Sequence, residues 1–159
     1  MAIRAIFACD ENWGIGKAGT LPWPHNAPDQ RWFKECTLNS VVVMGKTTWS
    51  DPDMPKPLPK RQNVVVTSGS APGAHVVADM KSFLKILPQM KNEGKQIWVI
   101  GGAKLFESLI PYIDEVWLSR IEGVYDCDTF LPGDAIIDNY SLIEGTVTED
   151  LYIEKWAKK

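Results

Sequence analysis

Asp29, Trp32, Phe33 and Cys36 fall at the i, i+3, i+4 and i+7 spacing of one helical face, so a carboxylate shares an apolar stripe that should turn towards a core. Burying an ionised Asp without a partner costs on the order of several kcal/mol, so this acid must meet a ligand, a protein group or a proton. A cationic or hydrogen-bond-donating small molecule is one such partner. The competing reading is a helix cap, because Pro28 and Asp29 stand where a helix would begin and Asp is favoured there.

Two other places suit an anion. Met44-Gly45-Lys46-Thr47-Thr48 and Ile100-Gly101-Gly102-Ala103-Lys104 each lead from an apolar run into a helical pattern. Glycine lets the backbone approach phosphate closely, free N–H groups at a helix start favour negative charge, and each lysine adds a counter-charge. An ordinary tight turn is the simpler alternative for each. A P-loop is rejected, because its first glycine would fall on Ser40 and Val41 to Met44 read as strand. Gly101-Gly102 also lacks the full dinucleotide fingerprint. Arg61, after a proline-stiffened loop, offers a planar guanidinium for a carboxylate, against the alternative of simple solvation. Ser119 is a hydroxyl inside an apolar strand and needs a partner, either Asp29 or a backbone carbonyl. Trp23, in a loop after Leu21-Pro22, suggests an aromatic wall beside a flat ligand.

The elements that must position these residues alternate. Strands are expected at Ile3–Cys9, Val41–Met44, Asn63–Thr67, His75–Val77, Gln96–Ile100, Glu115–Ile121, Tyr140–Val147 and Leu151–Trp156. Helices are expected at Asp29–Leu38, Lys46–Ser50, Met80–Met90, weakened by Pro88, and Ala103–Ile110, ended by Pro111. This order, with uninterrupted apolar strands, predicts an α/β three-layer sandwich. Its sheet has about eight mostly parallel strands, a C-terminal antiparallel hairpin turning at Thr148-Glu149-Asp150, and about four flanking helices. The 159 residues fit one domain. A net charge of −3 without a basic stripe argues against nucleic acid or an anionic membrane as partner. Cys9, Cys36 and Cys127 form no metal or disulfide pattern, with only His25 and His75 to join them, so a reducing cytoplasm and no metal are expected. No signal peptide or transmembrane run is evident.

Taken together, Ala8, Ile15-Gly16, Leu21-Pro22-Trp23, Asp29 with Trp32-Phe33-Lys34, Met44-Gly45, Thr48-Trp49, Leu58-Pro59, Arg61 to Asn63, Ile100-Gly101-Gly102 and Asp128-Thr129 resemble the dihydrofolate reductase family in order and spacing. The resemblance spans Ile6 to Trp156. It implies NADPH-dependent reduction of 7,8-dihydrofolate, with hydride delivered to pterin C6 and a proton to N5. Asp29 would bind the pterin 2-amino group and N3 and favour N5 protonation through water, supported by Ser119. An acid in an apolar pocket has a raised pKa, which suits that task. Leu21 and Trp23 complete the catalytic set on a mobile loop from Gly14 to Trp23. Ile6, Gln30, Phe33, Leu58 and Ile100 would line the folate pocket, and Arg61 would hold the glutamate α-carboxylate. Ala8, Ile15 and Gly16 would meet the nicotinamide. Thr47, Thr48 and the helix starts would hold pyrophosphate, Lys46 and Ser68 would meet the 2′-phosphate, and Gly45 and Thr67 would also bind the cofactor. Gly101-Gly102 would form a cis peptide, and Ala103, Lys104, Leu105, Phe106 and Thr129 would complete the cofactor surface.

Several positions depart from the family pattern. Lys46 and Lys104 stand where arginine is frequent, which weakens bidentate phosphate grip. Pro24 to Pro28 is one residue longer than the usual bacterial spacing, Gln30 replaces an apolar residue, Phe106 replaces a frequent tyrosine, and Asp51 to Pro55 carry a small insertion. The expected partners are dihydrofolate and antifolate-type molecules bound by a monomer. A related pteridine or pyrimidine reductase and a non-catalytic folate- or nucleotide-binding protein are the rival readings.

Overall fold

Uninterrupted apolar runs become central strands because both of their faces are covered. The computed structural model describes residues 2–148 and 150–159. Its strands are β1 (Ile3–Cys9), β2 (Gly14–Gly16), β3 (Val41–Gly45), β4 (Gln62–Val66), β5 (His75–Val77), β6 (Ile97–Gly101), β7 (Glu115–Arg120), β8 (Thr129–Phe130), β9 (Tyr140–Thr148) and β10 (Leu151–Lys158). The helices are α1 (Ala27–Thr37), α2 (Lys46–Trp49), α3 (Met80–Asn92), α4 (Ala103–Leu109) and α5 (Gly133–Asn139), with a 3₁₀ turn at Ile110–Tyr112. Eight strands form one sheet in the order β5-β4-β3-β6-β1-β7-β10-β9. It is parallel as far as β7, while β10 runs antiparallel to both β7 and β9. The hairpin expected at the sheet edge is present, although Glu149 lies outside the described residues.

Strand alternation divides the core. Ile6, Val42, Met44, Val65 and Trp98 meet Trp49, Leu58 and the α1 residues Trp32, Phe33 and Cys36 on one face. Ile3, Ala5, Phe7, Val41, Val43, Val99, Val116 and Leu118 meet Phe83, Leu87, Phe106, Leu109 and Ile136 on the other. Complete burial of such side chains stabilises by about 1.5–3 kcal/mol each.

Three elements were not expected from sequence. α5 begins with Gly-Asp and spans seven residues, too few to show a helical period. The short strands β2 and β8 pair only with each other, outside the main sheet. Five helices are present among the described residues, against about four expected. Pro88 lies inside α3, which runs two residues past the expected Met90 to Asn92, and Pro111 sits within the 3₁₀ turn. No helix among the described residues is long and apolar enough to cross a membrane.

Candidate active site

The cap of α1 is Asn26, whose Oδ1 accepts the Asp29 N–H at 3.0 Å. That separates the two readings of Asp29: its amide is capped by another residue, and its carboxyl is left for the apolar face. Burial pushes this carboxyl above its ordinary pKa, and the Ser119 hydroxyl pulls it partway back. Ser119 lies on β7 opposite Ala8 of β1 and Ile153 of β10, and its buried Oγ makes no well-formed hydrogen bond. The two polar groups thus stand together in otherwise apolar packing, an arrangement that favours a polar ligand between helix and sheet.

Ile6, Phe33, Leu58 and Ile100 belong to the same packed face. Leu58 is fixed by Asn63, whose Oδ1 accepts the Leu58 N–H at 2.9 Å while Nδ2 donates to the Leu58 and Arg61 carbonyls at 3.0 Å each. Arg61 is not simply solvated. Its Nε donates to Pro59 O at 2.9 Å and its Nη1 to Thr37 Oγ1 at 3.1 Å, which orients the guanidinium against the end of α1. Gln30 is exposed and its Nε2 lies 3.1 Å from His25 Nδ1.

A second cluster lies where β3 and β6 end side by side. A Cβ on Gly45 would come within 3.9 Å of Gly102 N, so the starts of α2 and α4 are neighbours, and neither has a side-chain cap. Gly101-Gly102 is cis as expected. Gly101 has φ +149°, and a Cβ there would collide with Thr48 Oγ1. Lys46 Nζ bonds Ser70 O, which places its ammonium at the loop after β4 that carries Thr67 and Ser68. Thr67 Oγ1 accepts the Gly69 N–H at 3.1 Å. Backbone without side-chain bulk, free amides and a lysine converge here, a set of donors that fits a dinucleotide phosphate chain. Thr47, Ser68 and Lys104 are exposed beside this cluster, and Gly102, Ala103 and Leu105 are half-buried.

Two expectations change. Trp23 does not wall an open pocket: it is 6% exposed and packs against Ile121, Leu151 and Ile153, with Tyr125 edge-on at 5.8 Å. Its Nε1 has no hydrogen-bond partner among the described residues. Phe106 does not present its ring to the cofactor side, because that ring is fully buried edge-on to Phe7 at 5.3 Å on the other sheet face.

Ala8, Ile15 and Gly16 are half-buried, and Leu21 is 48% exposed on the loop between β2 and α1. Asp128 ties that loop to β8: its Oδ2 accepts the Ala18 N–H at 2.9 Å, its N–H donates to Gly16 O at 2.9 Å, and its Oδ1 accepts from Thr129 Oγ1 at 2.9 Å. Sequence reading gave Asp128, Asn63, Thr37 and Asn26 no separate roles. Only Asn26 carried a local signal, an Asn two residues before a first-turn proline.

The chain matches the family model described as Dihydrofolate reductase over residues 2–150. It is 34% identical over 158 residues to the viral dihydrofolate reductase of Saimiriine herpesvirus 2 (strain 488), covering 90% of this chain and 74% of the relative. It is 36% identical over 133 residues to the dihydrofolate reductase of Bacillus subtilis (strain 168), covering 82% of this chain and 75% of that one. A solved dihydrofolate reductase from Enterococcus faecalis, complexed with NADP(H) and RAB-propyl, superposes with TM-score 0.84 at 28% identity over 99% of this chain and 96% of the other. With an acid and a hydroxyl between α1 and the sheet, and a glycine-lined phosphate cradle where β3 and β6 end, the chain belongs to the dihydrofolate reductase family.

Proposed function

We infer that this protein reduces 7,8-dihydrofolate to tetrahydrofolate with NADPH, and the half-buried Asp29 beside the buried Ser119 carries the reading. NADPH supplies the hydride when bound. The protein's own work is to align two rings, exclude water and provide a proton. Asp29 accepts hydrogen bonds from the pterin 2-amino group and N3, and burial raises its pKa above the ordinary value, which favours proton delivery through water to N5. Ser119 stands beside that carboxyl and lowers its pKa part of the way back. Trp23 Nε1, a donor without a hydrogen-bond partner among the described residues, suits an ordered water. Ile6, Phe33, Leu58 and Ile100 hold the apolar body of the folate, Gln30 lies at its rim, and Arg61, held by Thr37 and Pro59, pairs with the glutamate carboxylate.

Ala8, Ile15 and Gly16 take the nicotinamide end, closed by the Leu21 loop. Gly45, Thr47, Thr48, Gly101, Gly102 and the first residues of α4, Ala103 to Leu105, take the phosphates, and Lys46 with Thr67 and Ser68 takes the 2′-phosphate. Phe106 serves this surface only by anchoring α4. Thr129 acts through Asp128. We place the chain as one domain, a monomer in a reducing cytoplasm, in keeping with its three free cysteines. NADPH oxidation that depends on dihydrofolate, followed by absorbance against NADH and folate-free controls, tests the reading. Binding of both ligands without oxidation would favour a non-catalytic folate-binding protein instead.

A further inference from the structure

We propose that Asp10 is a positioning residue for hydride transfer, its buried carboxylate fixing both ends of the Gly14–Trp23 loop, one directly and the other through Tyr125. The inference rests on the reductase reading above. Asp10 has 0% exposure. Its Oδ1 accepts the N–H groups of Gly14 at 2.8 Å and Asn12 at 2.9 Å, which lead into β2. Its Oδ2 accepts the Tyr125 N–H at 2.9 Å and faces the Cys127 thiol at 3.6 Å, both on the segment between β7 and β8. The Tyr125 ring in turn meets Trp23, the far end of the loop, at 5.8 Å and 66°. One carboxylate therefore holds the residue that opens the loop and the residue whose ring buttresses its close.

The rest of Asp10 is committed to the same turn. Its N–H donates to Gly14 O at 3.0 Å, and its carbonyl accepts from Trp13 N at 3.2 Å and Arg120 Nη1 at 3.3 Å. The Arg120 guanidinium also lies 4.0 Å from the Trp13 ring centre. Gly14 has no room for a side chain, because a Cβ there would strike the Cys127 thiol. Burial pushes the Asp10 carboxyl up, but the amides of Tyr125, Gly14 and Asn12 outweigh it and hold the group below its ordinary value.

The chemistry requires a carboxylate rather than an amide. Donors from two segments converge on two oxygens, and an asparagine would turn its NH₂ group towards one set, donor against donor. Asp128 differs: it is exposed, and its bond to Ala18 near the loop's middle opens into water at little cost. A fixed base at Asp10 and a releasable contact at Asp128 let Leu21 move while Ile15 and Gly16 remain in place.

The test compares Asp10→Asn, Asp128→Asn and the double variant with unmodified protein. It measures single-turnover hydride transfer and the dissociation constants of NADPH and dihydrofolate. Asp10→Asn is expected to slow hydride transfer about tenfold or more, to change the dihydrofolate constant less than about twofold, and to combine non-additively with Asp128→Asn. Hydride transfer within about twofold of the unmodified rate, additive losses, or equal weakening of both ligands would overturn the proposal. If Asp10→Asn does not fold, amide exchange in the unmodified protein decides. Gly14 and Tyr125 opening together, and more slowly with NADP⁺ bound, supports the proposal; independent opening overturns it. Absence of folate-dependent NADPH oxidation in the unmodified protein would instead remove the reductase reading itself.

Discussion

The Asp29 carboxyl and the Ser119 hydroxyl stand together across the boundary between α1 and the sheet, and burial and that neighbour act on the acid in opposite directions. Burial raises the carboxyl's pKa, while the hydroxyl, the polar side chain beside it, lowers it part of the way back. A group whose pKa is raised on folding favours the folded state below its unfolded pKa, and that contribution is lost as pH rises through the folded value. Asp29→Asn should therefore lose most turnover near neutral pH yet be at least as stable as the unmodified protein there. The stability difference should shrink between about pH 7.5 and about pH 4. Urea unfolding at the two pH values checks this, and a neutral-pH loss of stability would contradict it.

Ser119→Ala removes the group that lowers the Asp29 pKa. The apparent pKa in the pH profile of hydride transfer should move upward, with little loss of folding stability because the buried hydroxyl makes no well-formed hydrogen bond for the substitution to break. A profile superimposable on that of the unmodified protein would separate Ser119 from the acid.

Arg61→Leu should raise the dihydrofolate dissociation constant by about tenfold or more, since charge-assisted bonds contribute about 1.5–3 kcal/mol. NADPH affinity and saturated turnover should change little, because the guanidinium is anchored at Thr37 and Pro59, away from the phosphate cradle. Fluorescence titration with each ligand tests it. Equal weakening of both would mean that the substitution damages the fold rather than a folate contact.

Much of this architecture is legible in the sequence where local pattern and burial agree. Val41 to Met44 reads as a central strand because every residue is apolar, and all four are buried in the sheet; Asp29 stands out because a charge interrupts an apolar helical stripe. What is not legible depends on partners distant in the chain. Trp23 looks like a loop aromatic until Tyr125 and the β10 residues Leu151 and Ile153 close around it. Arg61 looks solvated until Thr37 takes its Nη1. β2 exists only through its pairing with β8, more than a hundred residues away, and neither strand carries an alternation of its own.

The same dependence on a distant partner governs Gly101. Its φ of +149° is one that L side chains rarely adopt, and the space a Cβ would fill belongs to Thr48 Oγ1 on α2. Gly101→Ala should force α2 and the end of β6 apart, weakening NADPH binding by about tenfold or more and costing about 1–3 kcal/mol in stability. Dihydrofolate affinity should fall less, because Asp29 and Arg61 sit on α1 and the loop before β4. Thr48→Ala in the same background frees the contested volume but leaves the backbone strain, so it should restore part of the stability and little of the NADPH affinity. Calorimetry with NADPH titration on the single and double variants measures both. Full recovery in the double variant would assign the glycine requirement to the Thr48 contact alone, and no recovery would assign it to backbone conformation.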